Sequence, residues 1–214
     1  MAYRDKIWTC ADLWTLVEGE FDTVCKAYNG RKLSPLLEAD VAGYAYHAIL
    51  MKLDGDASCV HLDTRLFGPS GNEKYDLVIG ECIDTEERRR LALEKGADSI
   101  PEEVRRFLAS KAALSELRPA VRADIIIEFK FFATGFTPQQ LREHQMQALK
   151  DIRKVGALGT LCPEGRAVVL FDDTGYLTPT RQEHVVAARD ADGRNLRIYL
   201  FQRNSAGEMK WRML

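Results

Sequence analysis

The sequence predicts a mixed α/β (α+β) fold around one central sheet, and three observations carry that expectation. The stretch "IIIEFKFF" (125–132) is apolar enough to form a strand covered on both faces. Two helical patterns open the chain before any strand pattern occurs. The strand patterns then come as a pair, one after a charged helical stretch, and one after a further helix. That is not the strict alternation of a doubly wound sheet. With 214 residues, 46% hydrophobic and 29% charged, the chain fits a single globular domain.

Taken in order, residues 5–28 place Ile7, Leu13, Trp14, Val17, Phe21 and Val24 at approximately helical spacing, and Asn29-Gly30 ends the run. Residues 1–32 therefore read as an N-terminal helical extension. Ser34-Pro35 supplies a cap and a first-turn proline for a second helix running to Gly55. Strands at 57–68 and 74–81 flank the turn "PSGNE" and pair antiparallel. Residues 84–122 read as a helical insertion in which basic and acidic side chains balance. A solvated surface is the plain reading of it, and an arm facing DNA or a homodimer partner the sharper one. The strand 123–132 follows, then a helix from Thr137-Pro138 to about 158, then "RAVVLF" (166–171). Residues 33–172 thus form a core in the order αβββαβ. The rest, 173–214, is expected to add a C-terminal β-hairpin from "EHVVAARD" (183–190) and "LRIYLFQR" (196–203) around Asp192-Gly193.

Composition excludes several classes of function. A net charge of −2 argues against a protein that coats nucleic acid through bulk charge, so such contact needs a local basic patch. The segment 181–212 offers one, with seven basic residues against four acidic, although a solvated hairpin is the plainer reading. No apolar run approaches the roughly 20 residues of a membrane helix. The opening "MAYRDKIWTCADLW" has charges where a signal peptide needs its apolar region. Five scattered cysteines without a CxxC pair point to reduced thiols in a cytoplasmic protein. The four histidines are isolated, His47 reading as a surface residue, and there is no P-loop or GxGxxG. Trp8, Trp14 and Trp211 read as core or interface residues rather than base-stacking platforms.

The chemistry concentrates on three acids and one lysine. Alternate side chains of a strand share a face. Ile125, Ile127, Phe129 and Phe131 therefore point one way, and Ile126, Glu128, Lys130 and Phe132 the other. Charges within so apolar a strand need partners or a use. Asp76 lies inside "YDLVIG" (75–80), where aspartate is disfavoured; alone, a structural hydrogen bond accounts for it. Glu38 sits among Val41, Ala42, Ala45 and Ile49 on the face of the second helix that should pack on the sheet. It either finds a partner there or merely favours the dipole at an open helix end. Two carboxylates converging from neighbouring strands, Asp76 and Glu128, repel unless a cation lies between them. Their oxygens suit Mg²⁺ (or Mn²⁺), which completes its shell with water and phosphate oxygens. A lysine beside it could orient the attacking water and offset charge on the phosphorus. Such a set suits phosphodiester hydrolysis.

In this arrangement the sequence resembles the PD-(D/E)xK nuclease superfamily, which has the restriction-endonuclease-like fold. "LLEADV" with Glu38 is similar to the family's helix glutamate. "YDLVIG" with Asp76 matches its strand aspartate, and "IIIEFK" with Glu128 and Lys130 its acid-x-lysine strand. The resemblance implies a Mg²⁺-dependent nuclease acting on DNA. Asp76 and Glu128 would hold the metal, with the Phe129 carbonyl as a further ligand. Lys130 would position the water, and Glu38 would support the metal through water or tune the lysine. Gln147 and Lys150 would be weaker phosphate contacts from the following helix. Two departures stand out: no proline precedes Asp76, and a long insertion separates Asp76 from Glu128. Asp63 and Asp124 are therefore alternatives for the second acid. A catalytically inactive module of the same fold, binding nucleic acid or protein, is the alternative function.

Overall fold

The computed structural model describes residues 8–35, 37–53, 59–66, 74–83, 120–160, 162–192 and 195–214. The expected turn at 69–73 and nearly all of the expected insertion, 84–119, lie outside the described residues. The first helix, α1 (Cys10–Asn29), opens with a reciprocal cap. The Thr9 hydroxyl accepts from the Asp12 N–H at 3.1 Å, and Asp12 Oδ2 accepts from the Thr9 N–H at 3.1 Å. Its predicted apolar stripe is buried, Trp14, Val17 and Phe21 included. The second helix, α2 (Glu38–Lys52), starts later than Ser34-Pro35 predicts. Asp40 sets the start instead, its Oδ2 accepting from the Leu37 N–H at 2.8 Å. This places Glu38 at the first helical residue, at the mouth of the helix rather than inside its packed stripe.

Among the described residues, six strands form one mixed sheet in the spatial order β1 (Val60–Arg65), β2 (Lys74–Ile83), β3 (Ala120–Phe132), β4 (Arg166–Asp172), β5 (Arg197–Arg203), β6 (Met209–Met213). β1 pairs antiparallel with β2 as predicted and β3 also runs antiparallel to β2, while β3, β4 and β5 run parallel and β6 returns antiparallel. Ala120–Arg122, expected in the insertion, belong to β3 and pair with Glu81–Ile83.

Parallel neighbours need a crossover. One is α3 (Pro138–Gly156), capped by Thr137 and followed by a 3-10 turn, Ala157–Thr160. The other is α4 (Pro179–Asp192), where a hairpin strand was expected. "EHVVAARD" is therefore helical: Val185 is buried with Ala188 packed beside it at helical spacing. The opening Thr178-Pro179 repeats the Thr137-Pro138 signal. The C-terminal hairpin exists one element later, between β5 and β6. Its turn is held by Asn204 Oδ1, which accepts from the Ala206 and Glu208 N–H groups at 2.9 and 3.0 Å.

The layers are α1 and α2 on one face and α3 and α4 on the other. The predicted alternation of β3 holds. Ile125, Ile127, Phe129 and Phe131 lie in the first cluster, Ile126 and Phe132 in the second. Phe21, Tyr199, Phe201 and Trp211 make edge-on ring contacts in the first cluster, which gives Trp211 the core role expected of it. Arg166 is buried at the start of β4 and donates to the Gly156 carbonyl at 2.6 Å. A cation at the carbonyl end of α3 complements that helix terminus.

Gly165 is the tightest junction behind this frame. A Cβ there would lie 1.7 Å from the Asp124 carbonyl oxygen, where β3 and β4 begin to pair. Gly165→Ala should therefore lower stability by about 1–3 kcal/mol, read as a fall in Tm of several degrees.

Candidate active site

The site forms where β2 leaves β3. The β2–β3 ladder ends at Leu77↔Ile127, while β2 continues to Lys74 paired only with β1. Beyond that fork, the odd-numbered residues of β3 present N–H groups that no described strand meets, since the Ile126 N–H faces Gly165 across the other edge. Two carboxylates fill the gap. Asp76 Oδ2 accepts from the Phe129 N–H at 2.8 Å, and Glu38 Oε2 accepts from the Phe131 N–H at 3.3 Å. The C=O of a strand residue lies on the same side as its N–H, so the Phe129 carbonyl also faces the fork.

Glu128 and Lys130 lie on the opposite face of β3, towards α3. Lys130 Nζ is held from two layers at once: Glu38 Oε2 of α2 at 3.1 Å and Asp151 Oδ2 of α3 at 3.1 Å. Glu128 is buried, and its Oε1 is ion-paired with Lys154 Nζ of α3. Lys154 also donates to the Lys74 carbonyl at 3.0 Å and lies 4.5 Å over the Tyr75 ring. Lys130 is therefore not the lone cation of the cleft.

Burial, and then the neighbouring Asp76 charge, push the Glu128 carboxyl well above the usual carboxylate range, against the pull of Lys154. Burial likewise raises Glu38, with Lys130 opposing. For Lys130, burial acts downward, but Glu38 and Asp151 outweigh it and the ammonium ends above the ordinary lysine value. Lys130 is thus a retained cation, suited to donate and to offset charge rather than to remove a proton.

The other predicted residues fall as follows. Gln147 and Lys150 are exposed on α3, outside the contacts just described. Asp63 is exposed and bound to Lys74, and Asp124 is exposed near the far end of β3. Asp151 and Lys154, which the sequence reading did not single out, are the α3 residues that reach the site. Their three-residue spacing, flanked by buried Ala148, Ile152 and Val155, was the available signal. The C-terminal basic residues are largely engaged within the fold. Arg197 pairs with Glu18 at 2.7 Å, Arg203 with Asp173 at 2.7 Å, and Arg189 donates to the Leu214 carbonyl at 2.5 Å.

The oxygens that could take a divalent cation here are those of Asp76 and Glu128 and the Phe129 carbonyl, with Glu128 Oε1 occupied by the Lys154 ammonium. Among the described residues, no group of three or more His, Cys, Asp or Glu is arranged to hold a metal ion, so protein ligation rests on these few oxygens. No described helix is long and apolar enough to cross a membrane.

No protein-family model and no curated protein matches this sequence. Among solved structures, the chain is similar to Pyrococcus furiosus SfsA in complex with Ca²⁺, with 11% identity and a TM-score of 0.30. The match covers 81% of this chain and 62% of that one. The chain thus spans less than two thirds of that structure, and at this level of likeness neither fold nor function is read from it.

Glu128→Gln removes a buried acid that neighbours another without changing its shape. In EDTA the difference in Tm between variant and wild type should move in the variant's favour from pH 5 to pH 8, because only the wild type must hold a proton or bury a charge there. A change of about 1 kcal/mol would appear as roughly 2–4 °C in a thermal melt, and a difference independent of pH would contradict the raised Glu128 carboxyl.

Proposed function

We propose that the protein is a metal-dependent nuclease of the PD-(D/E)xK type that hydrolyses DNA phosphodiester bonds. The observation that carries this reading is the fork itself. Asp76 and Glu128 converge there, and Lys130 is held at its opening by carboxylates from two layers. Asp76, Glu128 and the Phe129 carbonyl would hold Mg²⁺ or Mn²⁺. When bound, the ion supplies positive charge to polarise the phosphodiester and activate water.

The chain's own groups do the rest. Lys130 keeps its proton and directs Nζ–H donors to the attacking water or to a phosphate oxygen, where negative charge grows in the transition state. Glu38 and Asp151 fix the lysine so that little reorganisation is needed. Asp76 keeps one oxygen on the Phe129 N–H, which orients its other oxygen. A second reading, a non-catalytic binding or assembly module, is favoured by the Lys154–Glu128 ion pair, which already neutralises one proposed ligand.

Incubation with single-stranded, double-stranded and branched DNA should give cleavage in Mg²⁺ or Mn²⁺ and none in EDTA. Glu128→Ala and Lys130→Ala should each lower the rate by about 10²-fold or more. Undiminished cleavage by either variant would overturn the reading. Saturable DNA binding with no turnover under any divalent ion would favour the module.

A further inference from the structure

Lys154 occupies the position in the fork where a cation is required. Its ammonium is ion-paired with Glu128 Oε1, and a buried carboxylate without such compensation is costly. Its two other contacts, the Lys74 carbonyl at 3.0 Å and the Tyr75 ring at 4.5 Å, both come from the free end of β2 and do not involve Glu128. They are made together with the Glu128 ion pair, so the ammonium keeps two partners when it leaves that oxygen. An ammonium and a divalent ion against one buried oxygen repel strongly.

We propose that Lys154 is a displaceable counter-ion of the metal site, and that the geometry makes metal loading an exchange reaction. In the metal-free protein Lys154 holds Glu128. A divalent cation entering between Asp76 and Glu128 takes the ammonium off Glu128 and leaves it on the Lys74 carbonyl and the Tyr75 ring. The metal affinity of the site is therefore set by competition with a side chain of the protein itself. This rests on the metal-binding reading above. Lys154 acts through Glu128 and is a positioning residue, not a catalytic one.

Mn²⁺ titration followed by electron paramagnetic resonance or calorimetry tests it on the full chain. Lys154→Met keeps the stem that packs on Tyr75 and removes the charge. It should bind Mn²⁺ with a Kd at least about tenfold lower than the wild type, whereas Lys154→Arg should not, and Glu128→Gln should abolish binding. If the wild type binds through Glu128 and Lys154→Met binds no tighter, the exchange is overturned while the metal site stands. If neither binds Mn²⁺, both readings fall together. The wild type gives an independent measurement that needs no variant to fold. On adding Mn²⁺, acylation of Lys154, mapped by mass spectrometry, should accelerate several-fold as the ion pair opens. An unchanged rate overturns the proposal.

Discussion

The parting of β2 from β3 is the constraint from which the site follows. A strand in mid-sheet that loses its neighbour exposes N–H groups that must be met. Here the Phe129 and Phe131 donors are met by carboxylates, Asp76 from the departing strand and Glu38 from the mouth of α2. Anionic acceptors make strong bonds to such donors, but they also concentrate negative charge beside the buried Glu128. The lysines are the consequence. Lys130 stands between Glu38 and Asp151, and Lys154 stands against Glu128. Backbone satisfaction and electrostatic compensation are the same set of contacts.

The sheet's change of direction at β3 decides which side chains reach this point. Antiparallel to β2 and parallel to β4, β3 must be followed by a crossover. That crossover, α3, returns over the face carrying Glu128 and Lys130, so residues three apart on one helix turn, Asp151 and Lys154, cover residues two apart on the strand. Arg166 fixes where α3 ends by meeting the Gly156 carbonyl. The register of the helix over the strand is thereby set from both termini, Thr137 at one and Arg166 at the other.

Much of this frame was legible in the residues. The period of two in 125–132 gave the two faces of β3, and Thr137-Pro138 gave the start of α3, because both signals are local. Asp76 and Glu38 were visible as charges in apolar settings. Asp151 and Lys154 were not, because α3 is richly charged and only tertiary packing separates its buried polar positions from its solvated ones. "EHVVAARD" misled for a related reason. Its four central apolar residues fit a strand or a helix alike, and the need for a crossover between β4 and β5 decided the matter. The basic C-terminal residues also read differently in three dimensions. Arg197 and Arg203 close ion pairs with α1 and β4 neighbours, and so belong to the fold before they belong to any partner.

Charge balance at the fork bears on the proposed metal dependence by a separate route. Glu38, Asp76, Glu128 and Asp151 carry four formal negative charges, and Lys130 and Lys154 supply two positive ones. Burial displaces Glu38 and Glu128 upward, and the neighbouring Asp76 charge adds to both shifts. An anionic phosphodiester could not approach such a cluster unaided. A divalent cation would close the formal deficit and invert the local field toward phosphate. On the proposed reading, the acidity that makes the site costly to fold is what makes its reaction depend on a metal.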